Sequence, residues 1–359
     1  MTKLGEVFTI ASGGTPDKKK PFYYENGTIP WVKTGDLKNQ YVPAGIECIT
    51  EEGLNNSPAK LFPPNTVLVA MYGATIGACS ILSYEAATNQ ACAAFLPNEN
   101  VLPTYLYYFL LSKRDQFVKD GVGGAQPNIS AGYLKNVQFD LVPVRQQEVI
   151  VERLDEIENL IALRKEQLQK LDELVKARFV ELFGDYRINE KGFDCKKGSE
   201  LFKFSSGKFL PEEKRLDEGV PVYGGNGIAW YTSECLVDYP TIIIGRVGAQ
   251  CGNIHAVTTP VWITDNAIYI KEQKTKAYTL EFLTELMRMM DFYQYADFSG
   301  QPKITQKPLE TLDYIMPPIE LQNEYTTFVE QTDKSKLTVQ QSLDKLELLK
   351  KALMQKYFG

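Results

Sequence analysis

The sequence predicts an α+β protein: two repeated domains, mostly antiparallel β with helices at the side, joined by two long helices that pair with each other. Three observations carry this. The first is a repeat at a constant offset of 175, in which Gln126-Pro127-Asn128-Ile129-Ser130 returns as Gln301-Pro302-Lys303-Ile304-Thr305. The second is a set of short β-branched apolar runs bounded by Pro, Asn and Gly. The third is a pair of long amphipathic stretches, one after each repeat, with large residues spaced alternately three and four apart.

The repeat extends well beyond its best segment. Gly73 and Gly77 return as Gly248 and Gly252, Leu134 and Phe139 as Leu309 and Tyr314, and Pro143 as Pro318. Phe183-Gly184 returns as Phe358-Gly359. Upstream, Glu6-Val7-Phe8 and Ser12-Gly13 match Glu200-Leu201-Phe202 and Ser206-Gly207 at a larger offset of 194, which predicts an insertion in the first half, around Asp17 to Gly27. The expected division is a globular part over 1–143, a helix over 144–185, a second globular part over 186–317 and a second helix over 318–359.

Within each globular part, Thr66–Met71 and Thr241–Ile244 read as strands, as do Ala91–Phe95 and Ala267–Ile270. One side helix is expected in each, over Pro103–Val118 and Leu280–Tyr293. The long helices start just after Pro143 and Pro318, and Gly184 closes the first as a C′ glycine would. About 38 residues at ~1.5 Å per residue make each a rod of roughly 57 Å, too long for the inside of a compact domain. The first presents Leu154, Ile157, Ile161, Leu168, Leu171, Val175 and Leu182, and the second Val329, Val339, Leu343, Leu346 and Leu353, as the coiled-coil interface. Arg164 and Arg178 break the first stripe, and Lys336 and Lys350 break the second at different places. Alternating polar breaks favour pairing of the two helices with each other.

Composition excludes several classes. The chain has 359 residues, 44% hydrophobic and 23% charged, with no apolar run near the ~20 residues of a membrane span. No secretory leader is read at its start. The six cysteines (48, 79, 92, 195, 235 and 251) form no CxxC pair, which fits a reducing cytoplasm. With His255 as the lone histidine and the cysteines scattered, no zinc site is expected; Ser/His/Asp or Cys/His chemistry would hang on His255, which has no paired nucleophile motif and reads as a surface or satisfied strand residue. Gly207-Lys208-Phe209 is not a phosphate-binding P-loop, and Gly224-Gly225-Asn226-Gly227 lacks dinucleotide spacing. Phe62-Pro63-Pro64-Asn65 has the residues of an adenine-methyltransferase loop in the wrong order. No metal or catalytic constellation is expected. The net charge of −6 counts mildly against nucleic acid unless basic residues are segregated, as in Lys18-Lys19-Lys20.

These residues together resemble the specificity (S) subunit of type I restriction-modification enzymes. The likeness rests on Ser12-Gly13-Gly14-Thr15-Pro16, Ile29-Pro30-Trp31-Val32 with Gly35-Asp36, the Gly73-x3-Gly77 strand-loop, Gly124-x-Gln126-Pro127-Asn128-Ile129-Ser130 with Pro143 and Gln147, and their second-half copies. The resemblance implies two target recognition domains, each reading half of a split double-stranded DNA target. It implies an antiparallel coiled coil that sets the spacer, and no catalysis by the chain itself. It also implies assembly with two methyltransferase subunits and with restriction subunits, which would hold S-adenosylmethionine and ATP with magnesium. A coiled-coil adaptor that joins proteins without binding DNA is the alternative, and a lone nuclease or methyltransferase a further one.

Base reading favours Arg and Lys for guanine and Asn and Gln for adenine, and phosphate contacts favour bases and hydroxyls. On the loops flanking the matched strands the DNA-binding candidates are Lys18, Lys19, Lys20, Lys33, Thr34, Tyr72, Thr75, Gln90, Gln126 and Asn128. In the second half they are Lys208, Tyr223, Asn226, Arg246, Gln250, Asn266, Gln301 and Lys303. Lys18–Lys20 read equally well as a solvated tip. Gln126 and Gln301 recur in both halves, so Met71 against Arg246 and Tyr72 against Val247 are the better specificity positions.

Overall fold

The computed structural model describes residues 2–122 and 128–359. The chain divides into two compact units: Met1–Arg164 with Ser342–Gly359, and Lys165–Gln341. Each unit takes in one globular domain and a part of both long helices, Val144–Phe183 and Ile319–Phe358.

In unit 1, strands β1 (Ile10–Ser12), β2 (Ile29–Val32), β3 (Val67–Ala70), β4 (Cys79–Ile81), β5 (Ala86–Thr88) and β6 (Cys92–Phe95) form two sheets. The main sheet is antiparallel in the order β1-β6-β3-β4. In the second sheet β2 and β5 run parallel, flanked by Cys48–Ile49 and Leu61–Phe62. β3 is buried on both faces, as its unbroken apolar sequence requires. Its residues alternate between two cores. Val67 and Val69 pack with Tyr105, Phe109 and Leu154 on the helical side, and Leu68 and Ala70 with Val32 and Phe62 toward the second sheet.

Unit 2 repeats the scheme. Strands β7 (Phe202–Ser206), β8 (Val220–Gly224), β9 (Gly227–Thr232), β10 (Thr241–Gly245), β11 (Ile254–Val257), β12 (Trp262–Ile263) and β13 (Ala267–Gln273) give an antiparallel sheet β7-β13-β10-β11 and a sheet β9-β8-β12 in which β8 and β12 are parallel. Ile242 and Ile244 face the helical core, and Ile243 faces Val261 and Ile263.

The extra length of the first half lies mainly elsewhere than expected. β2 and β8 hold the same place, each parallel to the strand that precedes the last of the main sheet. Between β1 and β2 stand residues 13–28, against 207–219 in unit 2, a difference of only three. Between β2 and β3 stand residues 33–66, against 225–240, a difference of 18. The offset shift was visible only at its two ends, so sequence matching could not say on which side of β2 it fell. The side helices also end earlier than their apolar spacing suggests. The first is Pro103–Ser112, broken at Lys113 before Arg114–Asp120, and the second is Leu280–Met289, broken where Asp291 takes φ 45°.

One buried glutamine per unit ties the side helix to the long helix. Gln147 Oε1 accepts the amide of Leu102, the N-cap of the first side helix, while its Nε2 donates to the carbonyls of Asn100 and Val142. Gln322, 175 residues on, accepts from Thr279 and donates to Ala277 and Pro317. Both are fully buried. Each amide closes a helix start that would otherwise keep an orphan donor.

Inside each unit the long helices run antiparallel. In unit 1 Arg153 donates to the Tyr357 hydroxyl at 3.0 Å and Lys350 pairs with Glu158. In unit 2 Lys336 pairs with Asp172 at 2.7 Å, and Arg178 pairs with Glu324 while lying 5.9 Å from the Phe328 ring. Three of the polar breaks, Arg178, Lys336 and Lys350, therefore meet acids on the other helix. Of the seam residues, Leu154, Ile157, Ile161, Val175, Val339 and Leu343 are buried. Leu168, Leu171, Leu182, Val329, Leu346 and Leu353 are half-buried. The stripe reading missed Ile150, Phe179, Phe183, Tyr325 and Phe358, all buried where a long helix meets its domain.

Candidate nucleic-acid interface

In unit 1 the loop after β3 builds one rim. Tyr72 is exposed and forms an antiparallel bridge with Asn128, while the Ile129 amide donates to the Met71 carbonyl. The loop turns through Gly73–Thr75, with the Thr75 hydroxyl donating to the Tyr72 carbonyl at 3.1 Å. The amide of Met71 donates to Ala91, which brings Gln90 beside this turn. Gln90 Oε1 accepts from the Thr15 hydroxyl at 2.5 Å. The amide of Asn89 donates to Val32, so Lys33 and Thr34 follow directly onto the same edge. The structure thus gathers Tyr72, Thr75, Gln90, Asn128, Lys33 and Thr34.

Lys33 is not a simple surface cation. Its ammonium is 2.6 Å from Glu47 and 6.0 Å from the Trp31 ring centre. The Glu47 hydrogen bond pushes its pKa up. Lys18, Lys19 and Lys20 are exposed, and their bonds are local: the Lys19 amide to Asp17 and Lys20 Nζ to the Tyr23 hydroxyl at 3.1 Å. Gln126 lies outside the described residues.

In unit 2 the loop after β10 has the same backbone and different side chains. Val247 bridges Lys303, the Ile304 amide donates to Arg246, and the Gly248 amide donates to Pro302. Asp297 in turn bridges Lys303, closing a loop that carries Gln301. The Arg246 amide donates to the Asn266 carbonyl, and its guanidinium reaches the Asp265 carbonyl at 3.1 Å. The 3-10 turn Gly248–Gln250 sets Gln250 within 2.6 Å of the Asn253 amide nitrogen. Gly225, beside Asn226, lies against Gly245 and Asn266. Lys208 joins through its backbone, with its amide on Ile263 and its carbonyl accepting from Trp262 Nε1 at 3.0 Å. Tyr223 is half-buried, 6.0 Å from the His255 ring. Arg246, Asn266, Gln250, Asn226, Gln301 and Lys303 therefore share one rim, with Lys208 and Tyr223 at its border.

Gly73 and Gly77 have φ of 65° and 75°, and Gly248 and Gly252 have 80° and 86°. All four sit in the left-handed region that favours glycine, which fixes the loop shape and leaves reading to their neighbours. His255 is half-buried on β11, and burial lowers its pKa. Sequence reasoning missed Thr15, the partner of Gln90, and Asp265, the partner of Arg246. It also missed the exposed aromatics Phe209 and Phe298 beside Lys208 and Gln301. Thr15 stood within a quoted motif; the others had no signal, because exposure is not legible from residue type. Among the described residues, no group of three or more His, Cys, Asp or Glu is placed to hold a metal ion, and no helix is long and apolar enough to cross a membrane.

Comparison with known proteins bears on the whole chain. The family model for the type I restriction modification DNA specificity domain matches residues 1–173 and again 190–348. The type I restriction enzyme EcoprrI specificity subunit of Escherichia coli is 25% identical over 89% of this chain and 84% of its own length. The MjaIX specificity subunit of Methanocaldococcus jannaschii is 28% identical over 62% of this chain and 56% of its own. Among solved structures, the type I restriction-modification S subunit from M. genitalium aligns over 99% of this chain and 95% of its own, with a TM-score of 0.61 at 18% identity. A chain from a structure concerned with complex assembly and conformational transition of the type I R-M system aligns over 99% and 96%, with a TM-score of 0.65 at 16% identity. These likenesses establish the fold, and the two family-model matches establish the kinship. The chain belongs to the type I restriction modification DNA specificity family, as a non-catalytic specificity subunit with one such domain in each half.

Proposed function

We propose that each unit reads one half of a split double-stranded DNA target through the rim built on the loop after β3 or β10. One observation supports this above the rest: the two rims share a backbone and differ in side chains. Met71 stands against Arg246, Tyr72 against Val247, Gln90 against Asp265, Ala91 against Asn266 and Asn128 against Lys303, each pair following the same hydrogen-bonded turn. A constant frame with changed donors and acceptors is what two different half-sites require. Lys33, Thr34, Lys208, Tyr223, Asn226, Gln250 and Gln301 would add phosphate and edge contacts, with Lys18–Lys20 as further phosphate contacts. The spacer between half-sites would follow the length of the two long helices.

The chain would act with two methyltransferase subunits and with restriction subunits in the cytoplasm. S-adenosylmethionine and ATP with magnesium would belong to those partners. The test is selection from random-sequence duplex pools, with and without a type I methyltransferase subunit, followed by sequencing. A split motif with a fixed spacer is expected. No enrichment in either condition overturns the reading.

A further inference from the structure

Among the buried polar atoms of unit 2 that find no hydrogen-bond partner in the described residues are Oε1 of Glu285 and the hydroxyl of Tyr325. Glu285 is 4% exposed and Tyr325 is fully buried. Both line one cavity of about 200 Å³, together with Thr284, Val175, Arg288 and Asp333. That volume is several times the roughly 30 Å³ that a water molecule occupies in the liquid. The floor is the buried pair, and the rim is the exposed Arg288 and Asp333. The other carboxylate oxygen of Glu285 is reached by Arg288 at 3.4 Å, a long contact from a side chain that is half exposed. Thr284 spends its hydroxyl on the Leu280 carbonyl at 2.6 Å.

At the matching place in unit 1 the polar groups are paired. Tyr108, sixth in its side helix as Glu285 is in its own, donates to Asp155 of the first long helix at 2.5 Å. Where the second long helix has Tyr325, the first has the buried apolar Ile150. The phenol and carboxylate of unit 1 bond to each other; in unit 2 the Tyr325 hydroxyl and Glu285 Oε1 line one cavity and neither has a partner.

Glu285 and Tyr325 can both accept, and Glu281, Glu285 and Asp333 outnumber Arg288 around the cavity. A cation with several donors fits. A guanidinium offers a planar fork of donors and is more weakly hydrated than an ammonium, so it tolerates a half-buried site better. We propose that this cavity is a docking point for an arginine side chain of a partner protein, present in unit 2 only. The proposal stands apart from DNA reading.

The probe is capped arginine (Nα-acetyl-arginine N-methylamide), titrated calorimetrically into the full chain at fixed ionic strength. Capped citrulline, its neutral isostere, capped lysine and spermidine are the comparators. Saturable binding of capped arginine is expected, with capped lysine weaker and citrulline silent. Glu285→Gln, which keeps the shape, should weaken binding about tenfold, the fold cost of an ionic hydrogen-bond partner. Asp333→Asn, on the exposed rim, should weaken it about two- to threefold without touching the core. Equal binding of arginine and citrulline, or an unchanged affinity in both variants, overturns the proposal. Tighter binding of spermidine than of arginine overturns the assignment to a protein side chain. Unfolding midpoints of both variants within a degree or two of the parent make each reading one of binding.

Discussion

Gln147 and Gln322 do one job in two places, whereas Met71 and Arg246 hold one place and do different jobs. The two units thus separate positions that specify a fold from positions that a fold leaves free. Buried amides, left-handed glycines and the phenylalanines at the helix ends recur at the fixed offset, because each satisfies a backbone group or fills a core volume. The loop residues beside those glycines diverge, because the backbone there is already satisfied; Tyr72 stands exposed, while Met71 turns into the core. The Glu285–Tyr325 cavity belongs to a third kind: a core position at which one copy leaves polar atoms without the partners that the other supplies.

The sharpest way to break the comparison is to remove the closing phenylalanines. Phe183 lies 4.6 Å from Phe282, 4.8 Å from Phe179 and 5.7 Å from Tyr325; Phe358 lies 5.3 Å from Tyr105 and 6.1 Å from Phe109. Phe183→Ala should cost about 4 kcal/mol and Phe358→Ala about 3. Hydrogen exchange should rise within residues 202–316 for the first and 10–139 for the second. A rise in both units from either change would show that the units are not separate. Next, Gln147→Leu and Gln322→Leu each strand one amide and two carbonyls in a buried site. Each should lower stability by about 2 to 3 kcal/mol in urea melts, by similar amounts. Unequal losses would mean that the shared glutamines have diverged in role.

Arg246→Met gives unit 2 the residue of unit 1. It should relax the second half-site by about tenfold at one base pair, near the 1–3 kcal/mol of a bidentate contact, and leave the first half-site unchanged in duplex selection. The smallest effect concerns pH. Burial lowers the His255 pKa, so the unfolded chain takes up a proton first. Unit 2 then loses stability as pH falls through the unfolded value near 6.5, and the loss levels off once the folded histidine protonates too. Unit 1 has no histidine. Urea midpoints between pH 5 and 7.5 should slope less in His255→Gln; equal slopes would remove His255 as the cause.

Much of this was legible. The apolar spacing marked the seam, and the short β-branched apolar runs marked β3 and β10, because burial leaves its pattern on sequence. The insertion after β2 was placed on the wrong side of that strand, since Ile29-Pro30 and Val220-Pro221 are short and were not matched. The break at Lys113 was hidden because Arg114–Asp120 is helical too. At the rims, residue type suggested Arg246 and Gln90, but not that Asp265 and Thr15 hold them. Nor could it show that Glu47 already holds Lys33, since the two stand 14 residues apart with no periodic relation.

Unit 1 takes its last pieces from residues 342–359, while unit 2 is complete by residue 341. The order of synthesis is therefore the reverse of the order of completion. The domain made first waits, with the pocket for Phe358 open beside Tyr105 and Phe109, until residues 342–359 have left the ribosome. Closing it joins residues more than two hundred positions apart, a slow step because loop closure over that span must precede the contact. A truncation of the last helical turn would strike the oldest part of the molecule and spare the part made just before it.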